Sequence, residues 1–341
     1  MWKNFVVVVL VLHLDTSLSE INECQCKNRA SCDKRYQVMF TEDSTNQRPG
    51  FVCKCECEDG LVCCRLNNVT PPKCGFRNRN GVAGFGGNQV NTKTALFGEF
   101  PWMVGVFTGS GRYKCGGSLI HPSVVLTAAQ CVEQLDSYVV RASDWDISTS
   151  SEILKHQDLR VNCIKIHDEY NNKNRQNDIA LLFLNDSFIF GVDINSVCLP
   201  SPMNFPIGNR KCLVTGWGKD KYGAKGHLSS LLKKIELPLV DSRDCEENLR
   251  NTRLGKKFKL HQSFICAGGQ KNKDVCTGDG GGPLVCPIGE EDKYQQVGIV
   301  SWGIGCYNEN VPGVYASVGY FRSWVDQQMR RRNLSTSYYE Y

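Results

Sequence analysis

The sequence predicts an all-β fold closed by one C-terminal helix and preceded by a small cysteine-rich module. Three observations predict it. Short apolar runs recur between turn signals at 102–107, 119–127, 138–141, 179–184, 212–216 and 297–302, the spacing of a sandwich or barrel. Near the end, Phe321, Trp324, Val325 and Gln328 follow helical spacing. Nine of the 19 cysteines crowd between Cys24 and Cys74, a density that marks a disulfide-stapled unit.

At the start, Lys3 and the apolar stretch 5–14, interrupted by His13, read as a secretory leader (1–19). Ser17 and Ser19 are small residues placed for cleavage before Glu20. The stretch is too short to span a bilayer, and no later run of 18 apolar residues follows. The expectation is a secreted, extracellular protein with no membrane span. Nineteen cysteines suit an oxidising compartment. Because that number is odd, one thiol is expected to be free or bonded to another chain, so an oligomer or an intermolecular disulfide is foreseen.

The module at 20–66 is too small to fold on packing alone, so crosslinks must restrict its unfolded state. Its secreted setting, the adjacent Cys63-Cys64 and the crowded Cys53-Cys55-Cys57 weigh against zinc. Residues 67–93 turn to Asn, Gly, Pro and Arg, which is linker chemistry. The body spans 94–329 and a tail 330–341. The formal charge of +5 is too diffuse for nucleic acid. Its local clusters, Lys256-Lys257 with Lys259 and Arg330-Arg331-Arg332, read as a solvated loop and a frayed tail, or else as a surface for an acidic partner.

Three segments stand in one order: Thr127-Ala128-Ala129-Gln130-Cys131, Asn177-Asp178-Ile179-Ala180-Leu181-Leu182 and Gly278-Asp279-Gly280-Gly281-Gly282-Pro283. They resemble the histidine, aspartate and serine segments of the trypsin-like serine proteases. Cys115-Gly116-Gly117-Ser118, Thr215-Gly216-Trp217-Gly218, Ser301-Trp302-Gly303 and Pro312-Gly313-Val314-Tyr315 extend the resemblance over roughly 94–329. It implies a double β-barrel. The family's reaction needs a hydroxyl nucleophile, a base and an orienting carboxylate. Here the base position holds Gln130, whose amide cannot shuttle a proton, and the nucleophile position holds Gly280; Asp178 alone remains. Losing nucleophile or base costs such a hydrolase about 10⁶-fold in turnover. Thr277 and Ser301 lie nearby without a base partner, and His121 and His167 fall at ordinary positions. An active trypsin-like endopeptidase is therefore the remote reading.

The resemblance carries further implications. Active members are cut before an Ile-Val-Gly-Gly-like start, and the matching tetrapeptide here is Gln89-Val90-Asn91-Thr92 after Asn88, with no basic residue to cut behind. Asp279 should therefore find another donor, or else the surrounding loops stay zymogen-like. Asp274, Gly303 and Gly313 occupy the places that form a pocket for Lys or Arg, either a docking site or a relic. Implied disulfides are Cys115–Cys131, Cys212–Cys286, Cys245–Cys266, Cys276–Cys306 and Cys74–Cys198, leaving Cys163 unmatched. Asp144, Asp146 and Glu152 fall on a loop that binds calcium in some members through oxygen ligands; a plain acidic loop is the competing reading, and no cofactor is required.

The amino-terminal module resembles a clip domain through Cys24, Cys26, Cys32, a fourth cysteine and Cys63-Cys64. Cys53, Cys55 and Cys57 compete for the fourth place. Clip module plus degenerate body resembles the clip-domain serine-protease homologues of arthropod hemolymph, in particular the prophenoloxidase-activating factor II group. That implies a non-catalytic cofactor or scaffold in melanisation immunity, with prophenoloxidase and active clip proteases as partners. Arg48, Arg77 and Arg79 lie in exposed-looking stretches and are candidate cleavage sites. Microbial-surface recognition, adhesion or a decoy-inhibitor role on the same scaffold is the alternative. Asn68, Asn185 and Asn333 head glycosylation sequons.

Overall fold

The computed structural model describes residues 24–27, 36–39, 62–66, 73–82, 93–134, 136–149, 152, 154–202, 210–219, 226–270, 279–289, 292–305 and 309–341. The leader, Arg48, Asn68, residues 88–92, Asp274, Cys276, Thr277 and Cys306 lie outside the described residues.

In the amino-terminal module, β1 (Cys24–Lys27), β2 (Tyr36–Met39) and β3 (Val62–Leu66) form an antiparallel sheet with β3 central. The register sets Cys26 opposite Cys63 and Val38 opposite Cys64.

Two closed six-stranded barrels make the body. The first runs β4 (Met103–Thr108), β5 (Tyr113–His121), β6 (Val124–Thr127), β7 (Tyr138–Ala142), β8 (Gln157–Ile166) and β9 (Ala180–Leu184). Its strand order is β4-β5-β6-β9-β8-β7. The second runs β10 (Lys211–Gly216), β11 (Lys233–Val240), β12 (Phe264–Gly268), β13 (Pro283–Pro287), β14 (Tyr294–Trp302) and β15 (Pro312–Ser317), ordered β10-β11-β12-β15-β14-β13. Every residue of β4, β6 and β9 is buried, so these strands read as unbroken apolar runs rather than alternating ones. The run 119–127 divides into two strands because Pro122, which has no N–H to give a ladder, falls between β5 and β6.

The C-terminal helix α3 (Val318–Arg330) buries Phe321, Val325 and Gln328 and is capped by Ser317, which accepts from the Tyr320 N–H. Two helices were not foreseen: a single turn, α1 (Ala129–Val132), and α2 (Ser242–Arg250). In α2 the Asp241 side chain accepts from the Arg243 N–H, while Cys245 and Leu249, four apart, face inward. Two apolar residues are too few to show a periodicity.

The linker does not hang free between 73 and 82. Cys74 is bonded to Cys198. The Gly75 N–H donates to Ser196 O at 2.8 Å, and Tyr294 N–H donates back to Gly75 O at 2.8 Å. Gly75 has φ +78°, and a Cβ there would sit 2.1 Å from Tyr294 O, so the close approach requires glycine. Arg77, expected in an exposed stretch, is instead largely buried. Its guanidinium lies over Phe100 and Tyr294 at 5.1 and 5.8 Å and pairs with the fully buried Glu99. Glu99 also accepts from Lys234 Nζ at 2.9 Å and from the Leu96 N–H at 2.7 Å. A carboxylate buried among two cations and a backbone donor is compensated; stripped of either cation it would not be.

The frayed tail is likewise corrected. Tyr339 is fully buried, its hydroxyl donating to Asp326 at 2.8 Å and its carbonyl accepting from the Leu199 N–H at 2.9 Å. Arg322 stacks over the Tyr339 ring at 4.8 Å. Lys293 Nζ stands 5.7 Å from Phe76 and 5.4 Å from Tyr341, bridging linker and tail. Glu340 O lies 3.3 Å from Cys74 Sγ, a packing contact since a disulfide sulfur has no proton to donate.

Candidate functional site

The three resembling segments converge between the barrels. Residues 127–131 leave β6 and enter α1, which places Gln130 over Asp178 at the entry to β9. Asp178 is fully buried. Its Oδ1 accepts from the Gln130 N–H at 2.9 Å; its Oδ2 accepts from Gln130 Nε2 and from Ser301 Oγ, each at 2.6 Å. Gln130 Nε2 also donates to Ser301 O at 2.6 Å. Both amide protons are thus used in holding Asp178 and the end of β14 together. Ser301 serves this network as a donor to Asp178, a role its sequence position did not announce. Burial raises the Asp178 carboxyl above the usual range, opposed by the hydrogen bonds from Ser301 and Gln130.

Around this triad of contacts lies a second layer that sequence reasoning missed. Arg175 Nη1 donates to Tyr170 Oη at 2.5 Å, Tyr170 donates to Glu133 Oε2 at 3.1 Å, and Arg175 stands 3.6 Å from Glu133. Arg175 and Asn177 both hold positive φ, at 59° and 57°. Burial, then the nearby Asp178 charge, pushes the Tyr170 hydroxyl up.

Gly280, which the resemblance aligns with the nucleophile, faces open space: a Cβ would meet nothing nearer than Cys115 Sγ at 3.8 Å and Cys131 Sγ at 4.0 Å. A hydroxyl side chain would fit, so the glycine is not imposed by packing. The following amides are spent within the loop, Gly281 N–H on Val300 O and Gly282 N–H on Asp279 O, both at 2.9 Å. Asp279 accepts from the Gly218 N–H at 2.7 Å, which supplies the alternative donor that the sequence called for. Its carboxylate is pressed so closely on Gly216 and Gly218 that a Cβ at either would come within 2.2 Å. Tyr113 packs half-buried nearby, its hydroxyl pushed well up by desolvation and then by the Asp279 charge.

The remaining candidates are placed as follows. Gly303 is exposed and Gly313 lies in β15, and a Cβ at either would meet only ordinary contacts. Disulfides join Cys115 to Cys131, Cys212 to Cys286 and Cys245 to Cys266. Cys163 is free and exposed, with Arg332 Nη2 at 3.5 Å from its sulfur. His121 bonds with Ser123 and packs edge-on to Tyr338; His167 packs on Phe321 and Trp324 of α3. Asn333 and Asn185 are exposed, although Asn185 Oδ1 accepts from the Arg160 N–H at 3.0 Å. Arg79 is exposed and paired with Asp292 at 2.7 Å.

The calcium trio does not assemble. Asp144 and Glu152 face each other, and Asp144 is additionally 3.4 Å from Arg141. Asp146 turns away to accept from Ser148 Oγ at 2.6 Å. Among the described residues no group of three or more His, Cys, Asp or Glu side chains is gathered for a metal. Calcium takes six to eight oxygens; two carboxyls with an arginine already beside them do not fit it. Burial, and then the charge of Glu152, instead pushes the Asp144 carboxyl up to about 7.

Comparison with known proteins agrees with this architecture. The family model described as Trypsin matches residues 89–325. The chain is 44% identical over 295 residues to Phenoloxidase-activating factor 2 of Galleria mellonella, covering 80% of this chain and 97% of that one. It is 35% identical over 292 residues to Inactive CLIP domain-containing serine protease A8 of Anopheles gambiae, covering 79% and 78%. Against Protein masquerade of Drosophila melanogaster it is 36% identical over 241 residues, 70% of this chain and 22% of that one. Among the described residues no helix is long and apolar enough to cross a membrane.

Proposed function

Since the chain belongs to the trypsin family of serine proteases, yet presents an amide and a glycine where that chemistry needs a base and a hydroxyl, we propose that it is a secreted, non-catalytic homologue. It acts as a cofactor or scaffold in an extracellular protease cascade, that of prophenoloxidase activation in hemolymph. Its partners are prophenoloxidase and the active clip proteases. The observation that carries the reading is the Gln130 clamp, in which Nε2 is held at 2.6 Å by both Asp178 and Ser301 O. A carboxamide there has no proton to exchange near neutral pH, and its weakly basic oxygen cannot take one from a nucleophile. The clamp turns the former reaction centre into a joint between the barrels. The names of its relatives support the same reading, since one is called a phenoloxidase-activating factor and several are called inactive clip-domain proteases.

The test is a reconstitution. The purified chain, pre-treated with a clip protease, is added to prophenoloxidase together with a catalytically active activator. Phenoloxidase activity is expected to rise only when the chain is present. A flat response would overturn the cofactor role.

A further inference from the structure

Beyond the degenerate centre, residues 252–260 form a rigid basic projection. After α2 the chain folds through successive turns, with Gly255 N–H on Thr252 O at 3.1 Å and Phe258 N–H on Gly255 O at 3.0 Å. Leu254, Phe258 and Leu260 point inward and pack with Trp302, the Phe258 and Trp302 rings meeting edge-on at 6.2 Å. Arg250 Nε holds Phe258 O at 2.8 Å, and Glu246 Oε2 accepts from the Leu260 N–H at 2.8 Å. The residues between these anchors that face solvent include Arg253, Lys256, Lys257 and Lys259. The neighbouring Glu246 is already engaged by Arg250 and by Lys259 at 3.6 Å. Arg253, Lys256 and Lys257 have no acidic side chain within ion-pair reach among the described residues.

Three exposed cations without an acidic partner among the described residues give this projection a local positive field, and its apolar anchors mean that little backbone entropy is lost when they are matched. We propose that this projection is a docking surface for an acidic polypeptide segment, one offering two or three carboxylates at short spacing. The inference rests on the reading of the chain as a binding partner. Its position supports that role: Trp302, on which the projection is built, directly follows Ser301, the residue that clamps Gln130. A long uniform polyanion suits the surface less well, because the exposed Asp244 and Glu247 of α2 belong to the same neighbourhood and would repel it. A short segment with its own mixed charges can match plus with minus and avoid that repulsion.

The test uses the full chain and a fluorescein-labelled short peptide with three Glu spaced by Gly and one Lys among them, read by fluorescence anisotropy at low and moderate salt. The variant Arg253→Glu, Lys256→Glu, Lys257→Glu is compared with Arg330→Glu, Arg331→Glu, which removes exposed positive charge elsewhere. Reversal on the projection should weaken binding by about tenfold or more, as expected for several exposed ion pairs lost together. The control pair should change it less than about twofold, and added salt should weaken native binding. Circular dichroism and the melting temperature should match the native chain, since all three residues are exposed. Equal binding by the projection variant overturns the proposal, as does a heparin oligosaccharide that binds more tightly than the peptide through the same residues. Peptide binding through the projection by a chain that fails to raise phenoloxidase activity would count against the cofactor role and leave the docking surface standing.

Discussion

Gln130 meets the buried Asp178 with an amide, a group that has no proton to exchange near neutral pH. Its two Nε2 protons satisfy Asp178 and Ser301 O at once, so the Asp178 carboxylate is kept from being a buried unpaired charge. Asp144 shows the opposite condition. Burial, and then the charge of Glu152, pushes its carboxyl up to about 7, with Arg141 at 3.4 Å offsetting only part of the shift. Because the folded value lies above the unfolded one, the protonated form is favoured in the fold. Its contribution is fully present below about pH 4 and is lost as pH rises through about 7. Asp144→Asn, which keeps the shape of the protonated acid, should therefore raise the melting temperature at pH 8 and leave it nearly unchanged at pH 4. The gain at pH 8 is bounded at about 4 kcal/mol by linkage. Equal melting of the two chains at pH 8 would show that the pair is hydrated rather than buried.

Among elements, the segment 73–82 is where sequence and structure part company. Its Asn, Gly and Arg content reads as linker, and only the backbone pairing through Gly75 reveals that it lies on the body. Within it the two arginines have different fates. Arg77 keeps 12% of its side-chain exposure and is locked to Glu99, whereas Arg79 keeps 67%. Surface ion pairs such as Arg79–Asp292 hold weakly. A trypsin-like protease should therefore cut after Arg79 before it cuts after Arg77, read by mass spectrometry of early fragments; a first cut after Arg77 would mean that the Glu99 lock opens readily. The released piece should stay attached until reduction, because Cys74 is bonded to Cys198. Strands such as β4 and β9 were legible because burial on all sides makes them apolar throughout. β8 was not, since its exposed positions Asp158, Arg160 and Asn162 alternate with half-buried residues rather than with a fully buried face. At the site, motif positions located Gln130, Asp178 and Gly280, but the Ser301 and Arg175–Tyr170–Glu133 contacts depend on loops that meet only after folding.

At the scale of the whole molecule, the tail acts as a closing strap. Tyr338 packs on His121 of the first barrel, Tyr339 and Glu340 bond to Asp326 and Arg322 of α3, and Tyr341 donates to Gln295 of β14 in the second barrel. Removing residues 338–341 would empty the Tyr339 site and unpair Leu199 N–H, at a cost of about 3–5 kcal/mol by analogy with other large aromatic truncations. Chemical denaturation of the shortened chain should show a clearly lower midpoint, and an unchanged midpoint would mean that the strap is dispensable. The same feature has a topological consequence. With Glu340 O only 3.3 Å from Cys74 Sγ, the tail abuts the bridged linker, so the ring of contacts is already closed without a covalent join. A short peptide joining 341 to 73 would turn the body into a continuous loop, and such a loop can be reopened at an exposed turn between strands with every barrel pairing retained. For this body, the point at which the polypeptide begins is a matter of synthesis rather than of architecture.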